Sequence, residues 1–159
     1  MDTEVHEVER YVEATPEAVY ELVADVERMG EWSPETYRCR WLPPATGPAV
    51  GARFKAWNRH GWKRWTNKPV VVAADPGREF AFDRRSFGMS IVWRYTMEPE
   101  GTGTRLRESY QLAKAVPPAG DWIAAHVFGM GDRHAGLDEN MRQTLARIAT
   151  AAESTPPTP

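Results

Sequence analysis

Residues 93–112, WRYTMEPEGTGTRLRESYQL, decide how the chain is read. Just ahead of them and into them, Ile91, Trp93 and Tyr95 alternate with Val92, Arg94 and Thr96, the period of two that marks a strand over Ser90–Met97. The EPEGTG stretch at 98–103 turns the chain, and TRLRESYQL at 104–112 alternates again. One row of this second strand holds Leu106, Glu108, Tyr110 and Leu112. Three of the four favour burial, and a buried carboxylate is costly unless it is paired or hydrogen-bonded. Either that face lines something wetter than a packed core, or Glu108 has a partner.

Working outward, the same alternation predicts strands at Val5–Glu13, Thr36–Leu42, Ala52–His60, Lys63–Ala73 and Phe80–Arg85, seven in all. Short Gly- and Pro-bearing links make neighbouring strands antiparallel. Between the first two strands, ATPEAVYELVADVERMGEWSP changes period: Thr15 is a candidate N-cap, Pro16 sits at the first helical position, and Ala18, Val19, Leu22, Val23 and Val26 form an apolar stripe. Gly30 and Pro34 close this region, which reads as a helix or a pair of short helices. Near the C-terminus Leu137, Met141, Leu145 and Ile148 recur about once per turn, predicting an amphipathic helix from Asp132 to Ala152 behind an apolar patch of Trp122, Ile123, Val127 and Phe128. Residues 1–152 then form a single domain, and 153–159 a disordered tail. The class is α+β: a curved antiparallel sheet wrapped around one long helix. A helix cannot fill the whole concavity, so a pocket is expected beside it, with a filled core as the competing outcome.

Composition narrows the function. The 159 residues carry a net charge of −2, which gives no whole-chain drive towards nucleic acid or membranes. The one cysteine, Cys39, excludes an intrachain disulfide, and His6, His60, His126 and His134 lack zinc spacing, so neither metal nor cofactor is expected. No apolar run suggests a signal peptide or membrane span, which predicts a cytoplasmic chain without membrane insertion, monomeric or homodimeric. Seven Trp residues suit a bulky core or a concave ligand site.

VEATPEAVYELVADVERMGEWSP, GPAVGARFKAWNRHG, VVAADPGREFAFD, WRYTMEPEGTGTRLRESYQL and DENMRQTLARI together resemble the START/Bet v1-like (SRPBCC) superfamily, in its polyketide cyclase/dehydrase branch, over about Val8 to Ala152. The resemblance implies the helix-grip fold, with a deep cavity between sheet and C-terminal helix, and a hydrophobic, aromatic or polyketide-like ligand. It also implies the alternative of an aromatase/cyclase or dehydratase working in the same cavity. In such enzymes a Trp and polar residues on the strand matching KRWTNKP face the cavity. Trp65 and Asn67 fit, but Lys68 faces outward and Pro69 follows it, so the inward basic side chain of that pattern is missing.

Alternation then names the contacts. Phe54 and Asn58, Trp65 and Asn67, Phe82 and Arg84, Trp93 and Tyr95, and Tyr110 point into the concavity, and Trp32 supplies a further apolar wall. The bland reading of these residues is a plain core with polar strand ends. Arg10 on the first strand and Glu108 on the last share inward rows of neighbouring strands and can pair, with Arg84 as a second partner for Glu108. If catalysis occurs, Glu108, His126 and Tyr37 are the proton-moving candidates.

Overall fold

The computed structural model describes residues 5–86, 89–112 and 130–154. Among the described residues, eight strands form two antiparallel sheets where one sheet of seven was expected. The larger runs β1 (His6–Val12), β8 (Gly103–Leu112), β7 (Met89–Glu100), β6 (Glu79–Ser86), β5 (Val70–Asp75); the smaller runs β2 (Thr36–Trp41), β3 (Phe54–His60), β4 (Lys63–Asn67). The first and last strands are neighbours, with Val8 opposite Glu108 and Arg10 opposite Leu106.

The extra strand comes from Pro69. A single strand over Lys63–Ala73 was expected, but proline lacks an N–H, fixes its own φ and restricts the residue before it. The ladder therefore breaks at Lys68–Pro69, with β4 pairing to β3 and β5 pairing to β6. At the break the chain bonds to the start of β3: Phe54 N–H donates to the Pro69 carbonyl (3.2 Å) and Val71 N–H to that of Ala52 (2.8 Å). This corner joins the two sheets.

Helix α1 (Pro16–Ala24) starts as expected, with the Thr15 hydroxyl accepting from Ala18 N–H at 3.2 Å, and buries Val19, Tyr20, Val23 and Ala24. A 3-10 turn over Val26–Glu31 follows and packs against β2. Gly30 lies so close to β2 that a Cβ there would overlap the Tyr37 carbonyl oxygen. Backbone cannot rotate away as a side chain can, so Gly30→Ala is expected to cost about 1–3 kcal/mol of stability, read as a lowered urea midpoint.

Helix α2 (Met130–Ser154) lies across β1 and α1. Met141, Leu145 and Ile148 of its stripe are buried, together with Ala149 and Ala152, while Leu137 is half-buried. Between helices and sheets the core holds Val12, Val19, Val26, Phe54, Phe80 and Leu106, each fully buried.

Candidate functional site

Alternation along β3, β4, β6, β7 and β8 sends Phe54, Ala56, Asn58, Asn67, Phe82, Trp93, Tyr95 and Glu108 to the inner side, where they line a cavity. The segment around the 3-10 turn adds Met29, Ser33, Pro34, Glu35 and Thr36, and α2 covers it with Leu137, Asn140, Met141 and Thr144. Its volume is about 60 Å³. A single water needs about 10–15 Å³ of such space, so the cavity suits a few waters rather than a drug-sized ligand, which takes about 300 Å³ or more.

The polar chemistry of the walls is distinctive. Glu108 is 4% exposed and accepts a hydrogen bond from the Tyr95 hydroxyl at 2.9 Å through Oε1. Burial pushes its carboxyl up to about 8, against the opposing pull of the Tyr95 bond. At neutral pH the group therefore keeps its proton. Burial, and then the adjacent Glu108, also raises the Tyr95 phenol well above its ordinary value. Asn58, with no exposed surface, accepts from the Thr36 hydroxyl at 2.6 Å.

Among the described residues, four side chains present buried atoms without a hydrogen-bond partner from the protein: Asn58 Nδ2, both amide atoms of Asn67, Trp93 Nε1 and Glu108 Oε2. All four residues line the same cavity. Each buried polar atom left unpaired costs about 1–3 kcal/mol, so such a cluster marks a place built to be filled by something polar.

The expected ion pair between Arg10 and Glu108 is not formed. Arg10 shares a row with Val8 and Val12, but β1 is the edge strand of its sheet, and a long side chain there reaches solvent; Arg10 is exposed. Arg84 lies instead 3.9 Å from Glu35 and beneath the Trp65 ring, 6.0 Å from its centroid. Arg84 lines the cavity; Trp65, half-buried, does not. Trp32 is buried in the core with its carbonyl accepting from Arg147 at 3.3 Å, outside the cavity lining. Tyr110 stands one layer back, stacked on His6 at 4.7 Å and against Trp93 at 5.2 Å. Tyr37 is 39% exposed on the outer surface under the Arg59 guanidinium, away from the cavity. His126 lies outside the described residues. Cys39 is buried against Met29, and burial pushes its thiol to about 12, which removes it as a nucleophile.

Sequence reasoning missed Glu35, Thr36, Asn140 and Thr144. They come from a loop, a strand start and a helix face, where a period of two says nothing about direction.

Comparison with known proteins agrees with this architecture. The chain resembles the Polyketide_cyc-like protein Cgl2372 from Corynebacterium glutamicum at 32% identity, over 94% of this chain and 85% of that one, with a TM-score of 0.51. It superposes on the di-domain ARO/CYC BexL from the BE-7585A biosynthetic pathway with a TM-score of 0.74 at 19% identity, covering 96% of this chain and 51% of that one. Protein CV1439 from Chromobacterium violaceum gives a TM-score of 0.66 at 18% identity, over 95% of this chain and 98% of that one. No curated protein matches the sequence. The family model described as polyketide cyclase / dehydrase and lipid transport matches residues 4–153, and the chain belongs to that family.

Proposed function

We propose that this protein binds an apolar small molecule carrying carbonyl or hydroxyl oxygens, held between the sheets and α2. The observation that carries this reading is the set of unpaired buried atoms on Asn58, Asn67, Trp93 and Glu108 around one cavity. With Glu108 protonated, the set is richer in donors than in acceptors: two amide NH2 groups, an indole N–H and a carboxyl O–H against the Asn67 carbonyl oxygen. An acceptor-rich ligand of the aromatic or polyketide-like kind satisfies it, while Phe54, Phe82 and Met141 supply the apolar contact. Occupation requires the 60 Å³ space to widen several-fold. Met29 and Met141 are the walls best able to yield, since methionine repacks around three flexible bonds.

A second reading, cyclase or dehydratase, draws on the family and on Glu108 alone. A carboxyl that titrates near 8 holds a proton at neutral pH and can still release it, which suits proton transfer to a ligand carbonyl or leaving hydroxyl.

Asn67 tests the binding reading. Asn67→Leu removes two unpaired polar atoms at similar volume. It is expected to stabilise the free protein by about 1–2 kcal/mol while weakening ligand binding about tenfold or more. The measurements are urea unfolding, and native mass spectrometry of protein purified from its source, followed by titration with the ligand recovered. A variant that loses stability and keeps its ligand would sink the assignment.

A further inference from the structure

The outer side of the small sheet carries charge that nothing in the ligand site uses. No Asp or Glu occurs between Thr36 and Ala74, yet this stretch holds eight of the chain's 20 Lys and Arg residues, leaving 12 to balance all 22 acidic ones. The strands set like charges side by side: Arg40 lies opposite Lys55, and Arg59 opposite Arg64. Like charges directly across a ladder oppose folding. On β8 of the large sheet the outward cations are neutralised, Arg107 sitting 2.9 Å from Glu9 and 3.0 Å from Glu98, and Arg105 2.9 Å from Glu100. On the small sheet Arg38 and Lys55 instead meet a ring, 4.7 and 4.8 Å from the Trp57 centroid, and Arg64 donates to the Gly61 carbonyl at 3.3 Å. At the tip of the β3–β4 hairpin, between Gly61 and Lys63, Trp62 is 86% exposed.

We infer that this face docks on an anionic lipid bilayer, with Trp62 seated among the headgroups and the cations of β2–β4 on the charged surface. A broad face of dispersed cations matches a plane of many diffuse charges better than it matches a single phosphate. Tryptophan, with an apolar ring and a polar N–H, favours the headgroup layer. Single-stranded nucleic acid fits less well, because it needs a series of open aromatic faces for base stacking, whereas the Trp57 ring is engaged by two cations and the Tyr37 ring by Arg59, which leaves Trp62. No helix among the described residues is long and apolar enough to cross a membrane, so the contact is peripheral. The inner side of the same strands, through Phe54, Asn58 and Asn67, lines the cavity, so docking brings the cavity within one sheet's thickness of the bilayer. The inference does not depend on which ligand the cavity takes.

The test is co-sedimentation with vesicles of phosphatidylcholine containing about one-third phosphatidylserine, against vesicles of phosphatidylcholine alone. The wild type is expected to pellet with the anionic vesicles only, and to be released as salt rises from about 0.1 to 0.5 M. Each Lys or Arg removed should weaken the association about fivefold, so Arg40→Gln/Arg64→Gln is expected to lose about 25-fold. This pair should melt no lower than the wild type, since it relieves both like-charge contacts. Trp62→Ala should weaken vesicle binding several-fold without changing the melt. Failure of the wild type to bind anionic vesicles, undiminished binding by the double variant, or binding to a single-stranded oligonucleotide and not to vesicles would each overturn the inference.

Discussion

Glu108→Gln is expected to make the protein more stable at pH 9 than the wild type and to remove most of the fall in wild-type stability between pH 5 and pH 9. The reason is linkage. The folded-state carboxyl is raised from 4.5 to about 8 by burial, so between those values the folded protein holds a proton that the unfolded chain has given up. Stability is then fully present below about 4.5, declines as pH rises and levels off above about 8. A tenfold difference in proton affinity between the folded and unfolded chain is worth about 1.4 kcal/mol, so the wild type should lose on the order of 3–4 kcal/mol between pH 5 and 9. Glutamine keeps the oxygen that accepts from Tyr95 and never ionises, so its profile should stay nearly flat over that range. Urea midpoints at half-unit intervals of pH measure both curves. A wild-type profile that is level or rises with pH would show that Glu108 is charged and well solvated. The same variant separates the two functional readings: glutamine can still hydrogen-bond a ligand but cannot pass it a proton. Binding retained with product formation lost indicates an enzyme that uses Glu108, and binding retained with no product formed by wild type or variant indicates a carrier in which Glu108 is part of the wall.

The second large effect is expected at Phe54. Its ring has no exposed surface and meets Phe82 and Trp41 edge-on at 5.3 and 5.7 Å, at the boundary between core and cavity. Phe54→Ala removes those contacts, and large-to-small changes at such sites cost about 3–5 kcal/mol. Here the new void merges with the 60 Å³ already present. Apolar cavities of about 150 Å³ accept benzene, so the enlarged space should take a small aromatic such as indole. Indole at about 100 times its dissociation constant should restore about 2.7 kcal/mol to the variant and much less to the wild type. Denaturant titrations with and without indole give the answer. A loss below about 1 kcal/mol would mean that the walls collapse to fill the gap, and that the cavity is soft rather than built.

Most strands were legible in the sequence because burying one face imposes alternation, as in β3, where Phe54, Ala56 and Asn58 are buried and Lys55 and Trp57 are less so. The inner row of β8 needed only its period, and the neighbouring of β1 and β8 followed from the superfamily resemblance. Two failures have physical causes that alternation does not carry. Arg10 keeps its predicted row, but an edge strand lets a long side chain leave the interior, so row and burial separate. Alternation also runs straight through Pro69, although its missing N–H is reason enough to end the ladder. The helical contributions to the cavity were harder. The stripe containing Met141 was visible, but a periodic stripe does not say which turn covers the void. Asn140 and Thr144 flank that stripe and carried no signal. Trp32 and Tyr110 show the opposite error: both are inward, but the first belongs to the packed core and the second supports Trp93 from behind.

Asn67, Pro69 and Val71 are all buried, so inside and outside keep their order through the corner at Pro69. The inner wall behaves as one tape creased across two sheets. Because strands repeat every two residues, adding a single residue at the crease would turn the lining of one sheet outward while leaving the other in place. The lining can be edited position by position, whereas the crease accepts changes in length only in pairs.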